Sequence, residues 1–178
     1  EVMPVVASFS ILADLTAQVG GKHVHVDQLA GADADMHVYQ PTPSDIRRIK
    51  SAKVLVVNGL GFEGWLGPWI EKNNSDSPLV VVASRGISAI SSVPDGTHGH
   101  AHEVDPHAWH SIPNVMRYVD NIAAGLIKAD PRHAAEYRKN ATEYKRQLKA
   151  LDDRLIAQFA ALPPDRRKVI TSHDAFQY

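Results

Sequence analysis

Residues 53–59 read KVLVVNG, and residues 78–84 read PLVVVAS. Near-continuous runs of Val and Leu are typical of strands that are buried on both faces, as in parallel sheets. Upstream, MPVVAS (residues 3–8) and HVHVDQL (residues 23–29) also have strand-like patterns, and helical patterns separate the four segments. This alternation predicts an α/β fold, in which a parallel-sheet lobe with flanking helices ends near Gly86.

The rest of the chain divides into a loop, a helical segment and a short terminal segment. The Ser-, Gly- and His-rich stretch 87–103 predicts a loop. The N-terminal lobe, counted together with this loop and its His-rich part at 95–104, is assigned residues 1–112. Residues 113–162 predict helices. Residues 163–178 then contain RKVITSHDAF, which predicts the first strand of a truncated second lobe.

The last predicted helix is unusually long. From Pro131 to Leu162 the sequence contains no Gly or Pro after its first position, and apolar residues recur mostly in steps of three and four. A helix of this length spans roughly 48 Å, which exceeds one small lobe. It is therefore expected either to supercoil with a partner helix or to form a strut between two lobes.

The composition excludes several kinds of partner. The chain carries 19 basic and 20 acidic side chains, so its charge does not favour nucleic acid or an anionic membrane surface. No apolar run approaches the roughly 20 residues that a membrane-spanning helix needs.

The N-terminal sequence EVMPVVASFS has no initiator Met and no charged apolar leader, which fits a signal peptide already removed. Cysteine is absent, so a transition-metal site must use imidazole and carboxylate ligands.

Three histidines lie where a strand or buried segment gives way to a loop or a helix start. They are His37 in DADMHVYQPTPSD, His107 in EVDPHAWHSIPN and His173 in VITSHDAF. Ligands of parallel α/β sheets bind beyond the carboxyl ends of the strands, where two of these segments are expected. Each histidine also has a nearby acid that could hold its second ring nitrogen: Asp35, Asp105 and Asp174. Three neutral imidazoles with a fourth oxygen ligand suit zinc.

The other histidines receive a structural interpretation. His23 and His25 alternate on a predicted strand, and His133 lies in the first turn of the long helix. His110 is close to His107 in sequence but is not assigned as a ligand. For each of the three candidate ligands, a surface or helix-capping role is the alternative.

Four separated motifs, in order, resemble those of the metal-binding receptors of zinc and manganese ABC transporters. They are HVYQPTPSD (37–45), DPHAWHSIPN (105–114), DPRHAAEYRKNATEYKRQLKALD (130–152) and TSHDAFQY (171–178). The resemblance runs over essentially the whole chain. It implies two α/β lobes joined by one long rigid helix, with the metal held in the cleft between them.

The resemblance also implies the ligands. His37, His107 and His173 fall on the family's three histidine positions, and manganese members usually carry a glutamate at the third. His173 therefore matches the zinc pattern, and ligand chemistry agrees, because a carboxylate would move the site towards manganese. The family's fourth ligand, a carboxylate from the second lobe, has no counterpart here. This predicts a site completed by water that binds metal more weakly than an intact receptor does.

Residues 97–109, THGHAHEVDPHAW, contain two kinds of histidine. His107 belongs to the primary zinc site that the resemblance implies. His98, His100 and His102 are similar to the short histidine-rich loop that many zinc members carry beside the cleft, where it could gather zinc weakly. The alternative is a solvated loop with incidental zinc affinity.

These features predict a periplasmic zinc-binding receptor that captures Zn²⁺ and delivers it to an ABC permease without catalysing a reaction. A periplasmic metallochaperone is a second candidate partner. A manganese receptor of the same family is the first alternative. A zinc-dependent hydrolase is another, because three histidines and a water also form a catalytic site, with Glu103 or Asp174 as candidate base.

The terminal segment adds a prediction about association. Val169, Ile170 and Phe176 would normally be covered by the second lobe. If they are exposed, we expect self-association through this truncated region, or fraying of the segment.

Overall fold

The described chain alternates strands and helices. The computed structural model describes residues 2–31, 34, 36–68, 78–91, 104–171 and 175–178. Within these ranges the strands are β1 Met3–Phe9, β2 Val24–Ala30, β3 Val54–Val57 and β4 Leu79–Val82. Four helices lie wholly within these ranges: α1 Ser10–Gly20, α2 Pro43–Ser51, α3 Ile112–Ala129 and α4 Ala134–Ala160. Residues 66–68 are also helical. Short 3-10 turns occur at Gly21–His23, Ala108–His110, Pro131–His133 and Pro164–Arg166.

The four described strands form one parallel sheet in the order β2-β1-β3-β4. Val5 of β1 aligns with Val26 of β2 on one side and with Val54 of β3 on the other. Parallel neighbours need crossover connections, and α1 and α2 lie in the connections from β1 to β2 and from β2 to β3. The predicted α/β fold with a parallel sheet and flanking helices is confirmed.

Each face of the sheet is buried in its own apolar core. Along β3, Val54 and Val56 belong to the core that includes residues of α1, α3 and α4. Leu55 and Val57 belong to the opposite core, which includes Ile49 of α2. Because both faces are covered, the strand is apolar at every position instead of alternating with polar residues.

Helix α2 begins with a capping box formed by Thr42 and Asp45. The Thr42 hydroxyl accepts a hydrogen bond from the Asp45 backbone N–H, and the Asp45 carboxylate accepts one from the Thr42 N–H at 2.8 Å. This reciprocal capping satisfies two backbone donors at the helix start, and Pro43 follows as the first helical residue. Burial raises the pKa of Asp45, but hydrogen bonds from Arg48, Tyr39 and Thr42 outweigh it and hold that pKa well below its ordinary value.

Helix α3 packs on β4 through a glycine. A Cβ atom placed on Gly125 would lie 2.2 Å from Cγ2 of Val81, which is closer than real carbon atoms approach. The absence of a side chain therefore allows the helix to lie directly on the strand.

Helix α4 is packed along its first half only. Its 27 residues span roughly 40 Å. Tyr137, Ala141 and Leu148 are buried, whereas Ile156 is 61% and Phe159 60% exposed. The predicted helix 131–162 is shorter than expected, because its first three residues form a 3-10 turn and α4 ends at Ala160. None of the helices in the described ranges is long and apolar enough to cross a membrane.

The terminal segment differs from its prediction. Residues 167–171, which begin the expected strand RKVITSHDAF, form no strand. A strand requires hydrogen bonds to a neighbouring strand, and no described residue pairs with these. The strand prediction is therefore wrong for residues 167–171, where Val169 is 80% and Ile170 is 100% exposed.

Candidate metal centre

A cleft of about 580 Å³ opens beyond the carboxyl ends of the strands. Phe9 lines it from the end of β1, and His37 lines it from the turn that follows β2. The segment from His107 to His110, which precedes α3, forms another wall, and Thr171 and Phe176 line it from the terminal segment. This edge of the sheet is where the sequence predicted a ligand site.

Two of the three predicted primary ligands meet in this cleft. Nε2 of His37 lies 3.2 Å from Nε2 of His107, although the residues are 70 positions apart in sequence. Their ring centroids are 5.1 Å apart. His37 is exposed at the cleft, whereas His107 is only 6% exposed. The pair therefore combines a buried, fixed ring with one that solvent can reach.

The separation of the two nitrogens fits a shared metal ion. Two nitrogens bound to one tetrahedral zinc at about 2.1 Å lie about 3.4 Å apart, and at right angles in an octahedral site they lie about 3.0 Å apart. The observed 3.2 Å falls between these values. The separation is therefore compatible with a shared zinc ion, with an octahedral ion such as manganese, and with a direct N–H···N hydrogen bond between the two rings.

Asp105 fixes the orientation of the His107 ring. One carboxylate oxygen, Oδ1, accepts hydrogen bonds from Nδ1 of His107 at 2.7 Å and from the His107 backbone N–H at 2.9 Å. A proton held on Nδ1 leaves Nε2, the atom that faces His37, unprotonated and chemically able to coordinate a metal. Asp105 is 3% exposed, and its Oδ2 is buried without a hydrogen-bond partner among the described residues. The acid that the sequence predicted behind His107 is in place.

Aromatic rings form the wall behind the two histidines. Phe62 packs edge-on against the His37 ring, with centroids 5.3 Å apart, and Trp109 packs against His107 at the same distance. Phe9 completes the wall, with ring centroids 5.3 Å from Phe62 and 5.0 Å from Trp109. These contacts limit the rotation of both imidazoles and keep water from one side of the site.

A buried asparagine holds the backbone that carries His107. Asn58 follows β3 and is fully buried. Its Nδ2 donates to the carbonyl oxygen of Pro106 at 2.9 Å, and its Oδ1 accepts from the Tyr118 hydroxyl at 2.6 Å. Because Pro106 directly precedes His107, the Asn58 side chain links the segment that carries His107 to the end of β3 and to α3.

A buried glutamate in turn fixes Asn58. Oε1 of Glu63 accepts from the Ser8 hydroxyl and from the Asn58 backbone N–H, both at 2.7 Å, and Oε2 accepts from the Gly59 N–H at 3.0 Å. Burial raises the pKa of Glu63, against the lowering effect of these hydrogen bonds. Gly59 has φ of +83°, and a Cβ there would lie 2.6 Å from Cγ1 of Val82, so the turn requires glycine.

His110 lies in the same cleft but is too far from His107 to share a tetrahedral ion with it as the rings stand. Two imidazoles on one tetrahedral ion have ring centroids about 5 Å apart. His37 and His107 meet this value, whereas His110 and His107 are 6.5 Å apart. His110 instead packs on Phe176, with centroids 4.6 Å apart, and burial followed by the nearby His107 lowers its pKa.

Several predicted site residues lie outside the described residues. These are His173, the loop histidines His98, His100 and His102, the acids Asp35 and Asp174, and Glu103. In the part of the chain that the structure describes, no three His, Asp or Glu side chains are arranged to hold a metal. The ligand roles of His37, His107 and His173 and the secondary site therefore stay predictions, although the first two residues lie close together.

His23 and His133 contact each other although they lie far apart in the sequence. Their rings stack with centroids 3.8 Å apart. Nε2 of His23 lies 2.6 Å from a Glu136 carboxylate oxygen, and Nδ1 of His133 lies 2.5 Å from one of Asp130. His23 lies in the 3-10 turn before β2, so its predicted position on the strand is wrong, whereas His25 does lie on β2.

The sequence interpretation missed the residues behind the ligands. Phe62, Trp109, Asn58 and Glu63 were not singled out, because their roles depend on contacts between distant segments. One signal was available: NGLGFEGW follows β3 directly, which places an amide and a carboxylate at the ligand-binding edge of the sheet.

Comparison with known proteins places the chain in a family. Residues 5–178 match the family described as zinc-uptake complex component A, periplasmic. The manganese-binding lipoprotein MntA of Bacillus subtilis is 37% identical over 99% of this chain and 56% of its own length. The iron-binding protein YfeA of Yersinia pestis is 34% identical over 98% of this chain and 54% of its own length. The chain thus spans little more than half the length of these relatives.

A solved structure agrees with the fold. The Mn-bound periplasmic metal binding protein of Candidatus Liberibacter asiaticus matches with a TM-score of 0.79 and 31% identity, over 93% of this chain and 60% of that one. The names of these similar proteins include manganese and iron, and the family name includes zinc. By its sequence and its fold, the chain belongs to the zinc-uptake component A (ZnuA) family of metal-binding substrate-binding proteins of ABC transporters.

Proposed function

We propose that this chain captures Zn²⁺ in the periplasm for delivery to an ABC permease, with His37, His107 and His173 as its ligands. The observation that carries the proposal is the His37–His107 pair, whose Nε2 atoms face each other at 3.2 Å in the cleft. Family membership supports the transport role. A third imidazole at position 173 supports zinc, because nitrogen ligands suit zinc better than manganese.

The proposed mechanism is capture and release, without a chemical reaction. Asp105 and the aromatic wall hold the His107 ring before the ion arrives, so binding costs little conformational entropy at this residue. His37 is exposed, so an incoming ion can reach it from solvent. We further propose that His98, His100 and His102 gather zinc weakly beside this site.

Manganese is the second candidate cargo. Similar proteins are named for manganese and for iron, and the separation of the two nitrogens also fits an octahedral ion. A metal-dependent hydrolase has less support, because the family comprises substrate-binding proteins of transporters. Turnover of ester or phosphate substrates by the zinc-loaded chain would support the hydrolase hypothesis.

The test is calorimetric titration of the metal-free chain with Zn²⁺ and Mn²⁺. H37A, H107A and H173A should each greatly weaken zinc binding. H25A is the matched control, because His25 is exposed on β2, away from the cleft, and its loss should leave binding unchanged. Equal zinc affinity in H37A or H107A and in the unmodified chain would overturn the ligand assignment.

Two further variants address the metal and the loop. Zn²⁺ binds nitrogen ligands more tightly than Mn²⁺ in general, so the informative quantity is the zinc-to-manganese affinity ratio. H173E, which introduces a carboxylate, should lower this ratio, and an unchanged ratio would remove His173 from the site. A variant without His98, His100 and His102 should keep the tight site and lose a weak one. Loss of all binding would mean that the loop is the binding site.

A further inference from the structure

The hydroxyl of Tyr178 joins two backbone segments beside the metal centre. It donates a hydrogen bond to the carbonyl oxygen of Asp105 at 2.7 Å and accepts one from the backbone N–H of Ile90 at 3.1 Å. The Asp105 N–H also donates to the Ile90 carbonyl oxygen at 2.8 Å. Three hydrogen bonds therefore hold Ile90, Asp105 and Tyr178 together.

These three residues occupy informative positions in the sequence. Ile90 and Asp105 are the residues between which the loop histidines His98, His100 and His102 occur. The side chain of Asp105 orients His107 through two hydrogen bonds. Tyr178 thus contacts the backbone of the residue that orients the buried ligand.

We infer that Tyr178 is a positioning residue for the metal centre, a role that rests on the proposed function. Its hydroxyl fixes the Asp105 backbone from one side, while Asn58 fixes the adjacent Pro106 carbonyl from the other. The segment that precedes His107 is thereby held at two successive carbonyl groups. Metal sites depend on such support, because a shift of about 0.5 Å in a ligand degrades the geometry.

The variant Y178F tests this role because it removes only the hydroxyl. It leaves the Ile90 N–H and the Asp105 carbonyl without this partner, so the His107 segment gains freedom. Zinc affinity should fall about tenfold, the lower end of what partners of metal ligands cost. Y144F is the matched control, since Tyr144 is a partly buried tyrosine on α4 that packs against the same core.

Three measurements separate positioning from general stability. The visible absorption spectrum of bound Co²⁺ reports ligand geometry and should change in Y178F but not in Y144F. The double variant Y178F/D105N should lose less zinc affinity than the two single free-energy losses combined, because both act through His107. Thermal unfolding of the metal-free variants monitors the fold itself.

The outcomes are distinct. Zinc affinity of Y178F within twofold of the unmodified chain would overturn the inference, as would an unchanged Co²⁺ spectrum or additive losses in the double variant. An equal loss of affinity in Y144F would also overturn it. Absence of tight metal binding in the unmodified chain would instead refute the proposed function.

Discussion

Replacement of Asp105 tests how much the metal centre depends on the group behind His107. Oδ1 accepts two hydrogen bonds from His107, one from the ring and one from the backbone. In D105N the amide oxygen should occupy the Oδ1 position, because an amide NH₂ there would face two N–H donors. D105N therefore removes the charge and keeps the hydrogen bonds, whereas D105A removes both.

The two variants should differ in magnitude. A hydrogen bond to a charged group contributes about 1.5–3 kcal/mol and a neutral one about 0.5–1.5 kcal/mol, so loss of the charge alone should cost about 1–1.5 kcal/mol. Because a carboxylate partner raises the basicity of a ligating imidazole, we expect this free energy to appear in zinc binding, as roughly a tenfold loss of affinity in D105N. D105A also frees the ring to change tautomer and orientation, and should approach the roughly hundredfold loss seen when partners of metal ligands are removed.

Calorimetric titration with zinc measures both losses, and nitrogen NMR of the His107 ring shows which nitrogen carries the proton. D27N is the matched control, because Asp27 lies 3.6 Å from His25 on β2 and so also places a carboxylate beside a histidine, but away from the cleft. The reasoning fails if D105N and D105A both bind zinc within twofold of the unmodified chain. It also fails if D27N loses as much affinity as D105N.

Three further predictions concern the fold around the site. In E63Q the amide oxygen should take the Oε1 position, which accepts two hydrogen bonds, and the NH₂ would then face the Gly59 N–H donor. Urea denaturation should therefore show a loss of about 1–3 kcal/mol in the free energy of unfolding, and unchanged stability would contradict the network. G125A should cost about 1–3 kcal/mol through its contact with Val81, and V81A in the double variant should recover most of it; failure to recover would argue against the clash. The pKa of Asp45 is held below its ordinary value of about 3.9, so the ionised carboxylate stabilises the fold above that pH and the stabilisation disappears as pH falls. The difference in unfolding free energy between the unmodified chain and D45N should therefore shrink from pH 7 to pH 2, and a constant difference would contradict it.

Local patterns predicted the elements that local physics determines. The Val-rich runs marked β3 and β4 because strands buried on both faces must be apolar throughout. The start of α2 has the same local origin, because the capping between Thr42 and Asp45 acts within one turn. The positions of His37, His107 and His173 at strand ends or helix starts suggested a ligand site, and the family resemblance supplied the set of three; of these, His37 and His107 lie close together in the structure.

Contacts between distant segments could not be predicted in the same way. Asn58 bonds to a residue 48 positions away, and Tyr178 bonds to one 73 positions away. No spacing rule connects such positions, because their proximity follows from the complete packing of the chain. The strand expected in RKVITSHDAF shows the same limit, since residues 167–171 have the composition of a strand but no described partner.

The strand order has a consequence for the folding of the nascent chain. β1 lies between β2 and β3, and about 45 residues separate the end of β1 from the start of β3. At about 5–20 residues per second, a ribosome needs roughly 2–9 seconds to make that stretch. During this interval the backbone groups of Val5, Val6 and Ala7 that later pair with β3 have no partner. Such an unpaired apolar strand can pair with other chains, so slow closure of this sheet favours aggregation unless a chaperone covers the strand.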